Sequence, residues 1–364
     1  MEMELQTITQ DLNRPGDKGI EDSFETAPSF MKSKAEGLPV EIINNLSPAG
    51  LGRLYINPKN TSPFIEANCE SVSINHLRDE CVTPVFTKCN SVTISHYDFI
   101  EATDDCVSDF YKGETILTPE IRVSHKILGR IQEALKKPKS ELLPHEETIF
   151  WERAAFAIEI PSITMEIGGN TLSLVVGGVR TFNNQNLYSK KTVERFKVFT
   201  GFINQICTNC CVSTNGLLVD IRVVSVEELK SQIFQLLNSY DMNSHVRVMK
   251  NLENQHLSQS QFCQLIGRIR LYQHLPKETK LTIPELLFTD SQINAIVKAY
   301  MEDDNFKGKN NGDINLWKMY NLFTGANKSS YIDSFLERSE NAFNFIYGIS
   351  KAIDGDKTYR WFLS

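Results

Sequence analysis

The sequence predicts an α+β fold, an antiparallel β-rich N-terminal and middle region followed by a mostly helical C-terminal region. Two observations carry this. Residues 118–224 hold β-branched and aromatic runs broken by turns, "EIRVSHKIL", "RAAFAIEIPSITMEI", "TLSLVVGGVRTF" and "RFKVFTGFINQICTNCCVS", the pattern of strands joined by short connections. After Val224 the apolar period changes from two to 3.6, as in "LKSQIFQLL" and "SQINAIVKAY", and such a switch marks amphipathic helices. Strands first and helices after give the α+β class.

Each element follows from local chemistry. "MEMELQTITQDLNRPGDKGIEDSFETAPSFMKSKAEG" is rich in acids and turn formers and lacks an apolar period, so residues 1–37 are expected to be a disordered acidic leader. Residues 38–224 are expected to form the β-rich domain, and 225–364 a helical region packed on it. Short β-rich runs, "ESVSINHL", "CVTPVFT" and "SVTISH", precede a helical stretch, "YDFIEATDDCVSDFY". In "EIGGNTL", Gly168 and Gly169 stand where a tight hairpin needs positive φ. "EALKKPKSELLPHEETI" has two prolines and reads as a loop with a short helix. Ser225 with Glu228, Ser258 with Gln261, Thr289 with Gln292 and Ser330 with Asp333 have capping-box spacing and open successive helices.

Composition narrows the function classes. In 364 residues, 41% are hydrophobic and 23% charged, ordinary values for a globular chain. No apolar run approaches the roughly 18 residues of a membrane span, and the N-terminus lacks a signal-peptide pattern, so a cytoplasmic protein without a membrane partner is expected. In that compartment the eight cysteines would be free thiols. The net charge is −7, of which residues 1–38 supply −4, leaving a nearly neutral body.

Catalytic and metal motifs find no anchor. In "ICTNCC" strand alternation would put Cys207 and Cys211 on one face and Cys210 on the other, so no two at metal spacing share a ligand position and a core strand is expected. "TGANKSS" lacks the glycine before Lys328 that a phosphate loop needs, and reads as a helix-loop-helix corner with Gly325 ending the first helix. "HEETIF" has Ile149 where a zinc-protease helix needs its second histidine. "VVGGVR" reads as close strand packing. No cofactor and no metal are therefore expected. The local cluster His96, Asp98 and Glu101 is the one candidate for a site assembled in three dimensions.

Basic residues interleaved with aromatics remain. "RTFNNQNLYSKKTVERFKVF" contributes Arg180, Tyr188, Lys190, Lys191, Arg195 and Lys197, and "RVSHKILGR" contributes Arg122, Lys126 and Arg130. Bases that neutralise phosphates beside a ring that stacks on bases are the chemistry of nucleic-acid contact. On a helix Arg268 and Arg270 are about 200° apart, so one of them is expected to pair with a structural carboxylate.

Taken together, "HKILGRIQEALKKPKSELLPHEETIFWERAAFAIEIPSIT", "FKVFTGFINQICTNCCVSTNG", "FCQLIGRIRLYQHLP" and "LWKMYNLFTGANKSSYIDSFLERS" resemble an uncharacterised bacterial family, a domain of unknown function carried on conjugative and phage- or plasmid-like elements. The resemblance spans nearly the whole chain after the leader. More distantly, Cys207, Thr208 and Asn209 match a Cys-x-Asn step at the end of a core strand in a broader phage and plasmid group. The resemblance implies a genomic setting and no catalytic or binding residues. The expected function is thus non-enzymatic, the binding of DNA or a DNA-bound protein in element maintenance or transfer. The alternatives are a protein-interaction module acting on a host factor, and an enzyme whose site forms only in three dimensions.

Overall fold

Ser73, Ser95, Ser225, Ser258 and Thr289 each place a side-chain oxygen over an orphan helix amide, and helices begin where they stand. The structure is a computed structural model that describes residues 62–83, 93–182, 193–306 and 312–364. In chain order its elements are β1 (Glu70–Ser71), α1 (Ile74–Asp79), α2 (His96–Phe110), β2 (Glu120–Arg130), β3 (Glu147–Ile167), β4 (Asn170–Thr181), β5 (Glu194–Asn204), β6 (Cys210–Cys211) and β7 (Leu217–Val223). Then come α3 (Val226–Ser239), α4 (Met242–Asn254), β8 (His256–Leu257), α5 (Gln259–His274), α6 (Lys277–Lys280), α7 (Asp290–Glu302), β9 (Ile314–Asn315), α8 (Leu316–Asn327) and α9 (Ile332–Ile353). The fold is α+β, strands before helices.

β1 to β6 lie side by side in sequence order, every pair antiparallel, and β7 also pairs with β5. The β3–β4 turn is the glycine hairpin: Gly168 and Gly169 have φ of 57° and 77°. Gly168 also leaves room for the helical region, since a Cβ there would lie 2.4 Å from Trp317 Cδ1.

Alternation along the strands feeds two cores. Phe156, Ile158, Leu174, Val176 and Phe202 face a large core with Phe99, Leu229, Ile233 and Tyr320. Ala155, Ala157, Val175, Val179 and Phe199 face a smaller one closed by Phe335 and Leu336 of α9 and by Phe64 and Ile65. Each large apolar side chain so buried contributes about 1.5–3 kcal/mol. The large core takes side chains from strands and helices on both sides of position 225. A Cβ at Gly178 would lie 2.4 Å from the Phe99 ring, so the bare backbone there lets α2 settle onto β4.

Several local expectations are corrected. In "ESVSINHL" only Glu70–Ser71 is strand, because Ser73 caps α1 with its hydroxyl on the His76 amide. The "FKVFTGFINQICTNCC" run is two strands: β5 ends at Asn204, whose carboxamide oxygen takes the Ile206 and Cys207 amides and bends the chain. Cys207 therefore lies in a turn, while Cys210 and Cys211 point into the smaller and larger cores respectively. Of the four capping boxes, those at Ser258 and Thr289 are complete. Ser225 takes the Glu228 amide, but Glu228 reaches the Val224 amide instead. Ser330 caps nothing: it is buried, donates to Asn327 Oδ1 at 2.7 Å and accepts from Gln292 Nε2 at 2.9 Å. α9 starts one residue later, after Tyr331. Gly325 lies within α8, whose C-cap is Lys328. The leader, residues 1–37, lies outside the described residues. Among the described residues no helix is long and apolar enough to cross a membrane.

Candidate functional site

β3 has 21 residues against 11 in β2 and 12 in β4, and its excess over β4 builds a ribbon with β2. The β3–β4 ladder ends at Arg153 opposite Thr181, whereas β2 and β3 continue to pair from Lys126 opposite Trp151 to Arg130 opposite Glu147. Past the sheet the chain thus runs out and back as two strands joined by three short 3-10 turns, at Gln132–Ala134, Lys139–Glu141 and Pro144–Glu146. The root of the ribbon is anchored. Trp151 is buried and its Nε1 donates to His76 Nε2 at 3.0 Å, the Lys126 ammonium lies 5.4 Å from the Trp151 ring centre, and the Val82 amide donates to the Ile149 carbonyl at 2.8 Å. At the tip Glu146 accepts from the Leu143 amide and from Lys137 Nζ, and these two donors hold its carboxyl below the usual carboxylate range.

The ribbon exposes aliphatic side chains. Ile127 is 49% exposed, Leu128 56%, Leu135 63% and Leu143 49%. Beside them Lys126, Lys136 and Lys139 are exposed and make no ion pair with any described residue. The sequence carries a signal for this: six aliphatics, Ile127, Leu128, Ile131, Leu135, Leu142 and Leu143, in "HKILGRIQEALKKPKSELLPHEE". The strand-like run "EIRVSHKIL" takes in Ile127 and Leu128, whereas reading "EALKKPKSELLPHEETI" as a polar loop with a short helix passes over Leu135 and Leu143.

Of the six described residues of the expected set, Arg122, Arg130, Arg180 and Lys197 serve the fold. Arg122, Ala155, Val179 and Lys197 lie in one cross-strand row over β2, β3, β4 and β5. Arg122 pairs with Glu120 at 3.0 Å. Lys197 pairs with Glu337 and donates to the Asp333 carbonyl at 3.1 Å, and Arg153 reaches the Asp333 carboxylate at 3.0 Å. The acids of α9 thus neutralise bases on the sheet face they cover. Arg130 donates to the Lys137 carbonyl at the tip. Lys126 and Arg195 are exposed and unpaired among the described residues, but β3 and β4 separate their strands, which at about 4.8 Å per step is roughly 14 Å. Tyr188, Lys190 and Lys191 lie outside the described residues.

Arg180 is placed where no phosphate reaches it, at 1% exposure. Its guanidinium donates to Glu194 and to the Ile94 carbonyl and lies 4.2 Å and 4.4 Å from the ring centres of Phe182 and Phe196. Burial lowers its pKa to about 10, still well above neutrality, and burial raises the Glu194 carboxyl while Arg180 opposes that rise. Beside them the His96 ring is buried against Phe182, with Nε2 donating to the Trp151 carbonyl at 2.9 Å. Burial first, and then the Arg180 charge, bring His96 down to about 3.

The other local candidates do not converge with it. Asp98 caps the Ser95 amide at 2.8 Å and Glu101 accepts from Tyr97 Oη at 2.6 Å. Arg270, not Arg268, approaches a carboxylate, Asp290 at 3.7 Å, while Arg268 lies over Trp361. A second buried cation, Lys328, donates to Ser62 Oγ at 2.9 Å, Thr208 Oγ1 at 2.8 Å and the Cys207 carbonyl, so its three protons are used inside the fold. Among the described residues no three His, Cys, Asp or Glu side chains cluster as metal ligands.

No curated protein and no solved structure matches this chain. A family model does match, over residues 54–363. With the sheet, the helical half and the ribbon all inside that span, the chain belongs to the family described as "Domain of unknown function, B. Theta Gene description (DUF3871)".

Proposed function

We propose that the chain acts by binding rather than catalysis, and that its β2–β3 ribbon docks on a partner protein. The observation that carries this reading is the ribbon itself, which extends beyond the last β4 partner and exposes Ile127, Leu128, Leu135 and Leu143. A two-stranded ribbon is marginal in water on its own, and four exposed aliphatics carried on such an element favour a partner that covers them. The setting proposed is cytoplasmic, in the maintenance or transfer of a mobile element, as the sequence resemblance implies.

Photo-crosslinking in the producing cell tests the reading, with a benzophenone amino acid placed in turn at Leu128, Leu135 and Leu143, and at the exposed body positions Leu281 and Met301. A protein adduct confined to the ribbon positions and resistant to nuclease is expected. Adducts spread equally over ribbon and body would defeat it.

A second reading, direct nucleic-acid binding, is favoured by Lys126, Lys136, Lys139 and Arg195, exposed and without an acid partner among the described residues. Its signature is DNA binding that weakens steeply with salt, since each neutralised phosphate releases about 0.9 of a counterion on duplex. Loss of that slope in Lys126→Ala/Lys136→Ala/Lys139→Ala would establish it. Undetectable binding at about 50 mM salt would remove it.

A further inference from the structure

We infer that the outer edge of β2 accepts an extended segment of a partner protein as an added strand, one whose side chains on one face read acid, aliphatic, acid. The inference rests on the ribbon being the docking element and specifies how it docks.

The edge is open. β1 pairs with Arg122 and Val123 alone, and from Ser124 to Arg130 no described strand lies against the outer side of β2. Residues 125–129 are exposed. Alternate residues of an edge strand present an N–H and a C=O outward, and those groups require a partner, which is water or another strand. Where the segment ahead of β1 turns away from β2, at Asn68 with φ of 45°, a groove of about 370 Å³ opens between Asn68–Glu70 and Val123–Lys126. An incoming strand would meet β2 at that groove and continue along it toward Arg130.

Charge selects the occupant. Strand alternation puts Lys126, Leu128 and Arg130 on one face, and the stacking of Lys126 on its cross-strand neighbour Trp151 agrees with that. Residues directly opposite on an added strand have Cβ atoms about 4.5–5.5 Å away, where opposite charges attract and like charges repel. Acids opposite Lys126 and Arg130, with an aliphatic opposite Leu128, complement all three positions. A second copy of this chain fits less well: antiparallel self-pairing that stacks Leu128 on Leu128 sets Lys126 against Arg130.

The same features account for selectivity. A lysine on the edge and a distorted residue, His125 with φ of 60°, are devices that discourage indiscriminate strand pairing. They penalise an apolar strand more than an acidic one, which compensates the lysine.

The test uses the purified full chain and fluorescent nine-residue peptides. The probe is Ser-Thr-Glu-Thr-Val-Thr-Glu-Thr-Ser, compared with a version carrying Lys for both Glu. Two further versions are N-methylated on one or the other set of alternate residues. The Glu peptide is expected to bind at least about ten-fold tighter than the Lys peptide, and Lys126→Glu/Arg130→Glu to reverse the order. One N-methylated version should lose binding and the other retain it, because only one set of amides faces β2. If the double variant has a lowered thermal midpoint, Lys126→Glu alone should still narrow the preference. Equal binding of the Glu and Lys peptides, retention by both N-methylated versions, or no binding of the Glu peptide at about 1 mM, where protein–peptide contacts worth only ~4 kcal/mol are still seen, overturns strand addition. Ribbon-confined crosslinks that persist beside such a result leave docking standing and strand addition refuted; loss of both refutes the docking reading itself.

Discussion

Arg180 and Glu194 form a buried ion pair across neighbouring strands of the sheet, with the guanidinium between two phenylalanine rings and the carboxylate also accepting the Ile94 amide at 2.9 Å. The pair ties the segment ahead of α2 to β4 and β5. Removing one partner of a buried pair leaves an uncompensated charge and costs about 3–5 kcal/mol, whereas replacing both with apolar groups of similar volume costs far less. Glu194→Gln should therefore lower the thermal midpoint by several degrees, and Arg180→Met/Glu194→Met should recover part of the loss. A midpoint for Glu194→Gln equal to that of the parent would show that the pair contributes nothing.

The pair also explains how much of the site could be read in advance. Strand and helix order, the glycine hairpin and two complete capping boxes follow from local rules, and local rules are visible in sequence. Whether Arg180 faces solvent depends on Glu194, fourteen residues on, and on Ile94, which adjoins Arg180 only once the sheet and α2 have assembled. Lys197 is similar, since its acid partner, Glu337, comes from a helix 140 residues later. The ribbon is legible only in part. Ile127 and Leu128 close a run that reads as strand, whereas Leu135 and Leu143 lie in a loop-like stretch and meet no core that would dictate their spacing. The turn at Cys207 was hidden because Asn204, which bends the chain, also suits a strand end.

The β3–β4 hairpin offers a contrast between backbone and space. Gly168 and Gly169 both have positive φ, but only at Gly168 would a Cβ meet Trp317. Left-handed backbone costs a non-glycine residue roughly 1–2 kcal/mol. Gly169→Ala should show about that loss in denaturant unfolding. Gly168→Ala should lose more, because the Trp317 indole, which donates to Asn170 Oδ1 at 3.1 Å, must also move. Equal losses would show that the indole gives way freely.

Lys328 pins three segments, and its ammonium is expected to act through donor count rather than through charge alone. Glu66 lies 3.9 Å away at the rim, and burial lowers the lysine pKa while Glu66 opposes that. Lys328→Met removes all three donors; Thr208 Oγ1 still donates to the Cys207 carbonyl at 2.8 Å, so the loss is that of the charge-assisted bonds themselves, about 1.5–3 kcal/mol each. Hydrogen exchange should then rise at the Glu66 and Ala67 amides, which bond the Lys328 carbonyl. Protection unchanged at both amides would rule out the pin.

Two buried histidines set an acid limit on stability. His96 and His245 are both held at about 3 in the folded protein, chiefly by burial, against 6.5 for an ordinary histidine. His96 has Arg180 beside it, and His245 accepts from Tyr240 Oη at 2.7 Å and packs edge-on to Phe202 and Phe343. Above about pH 6.5 both states carry neutral rings, so neither histidine makes stability depend on pH. Below it the unfolded chain takes up protons that the folded chain refuses, so stability falls with pH down to about 3 and levels off there. The slope is ~1.4 kcal/mol per pH unit for each histidine once the unfolded ring is fully charged. Carboxylates titrate in the lower part of the same window, so the informative quantity is a difference between variants. His96→Gln keeps a donor for the Trp151 carbonyl and cannot be protonated. Between pH 6 and 5, the approach to the unfolded carboxylate range, this variant should lose stability about half as steeply as the parent. An unchanged slope would mean that the His96 ring is protonated inside the fold, against the adjacent Arg180 charge.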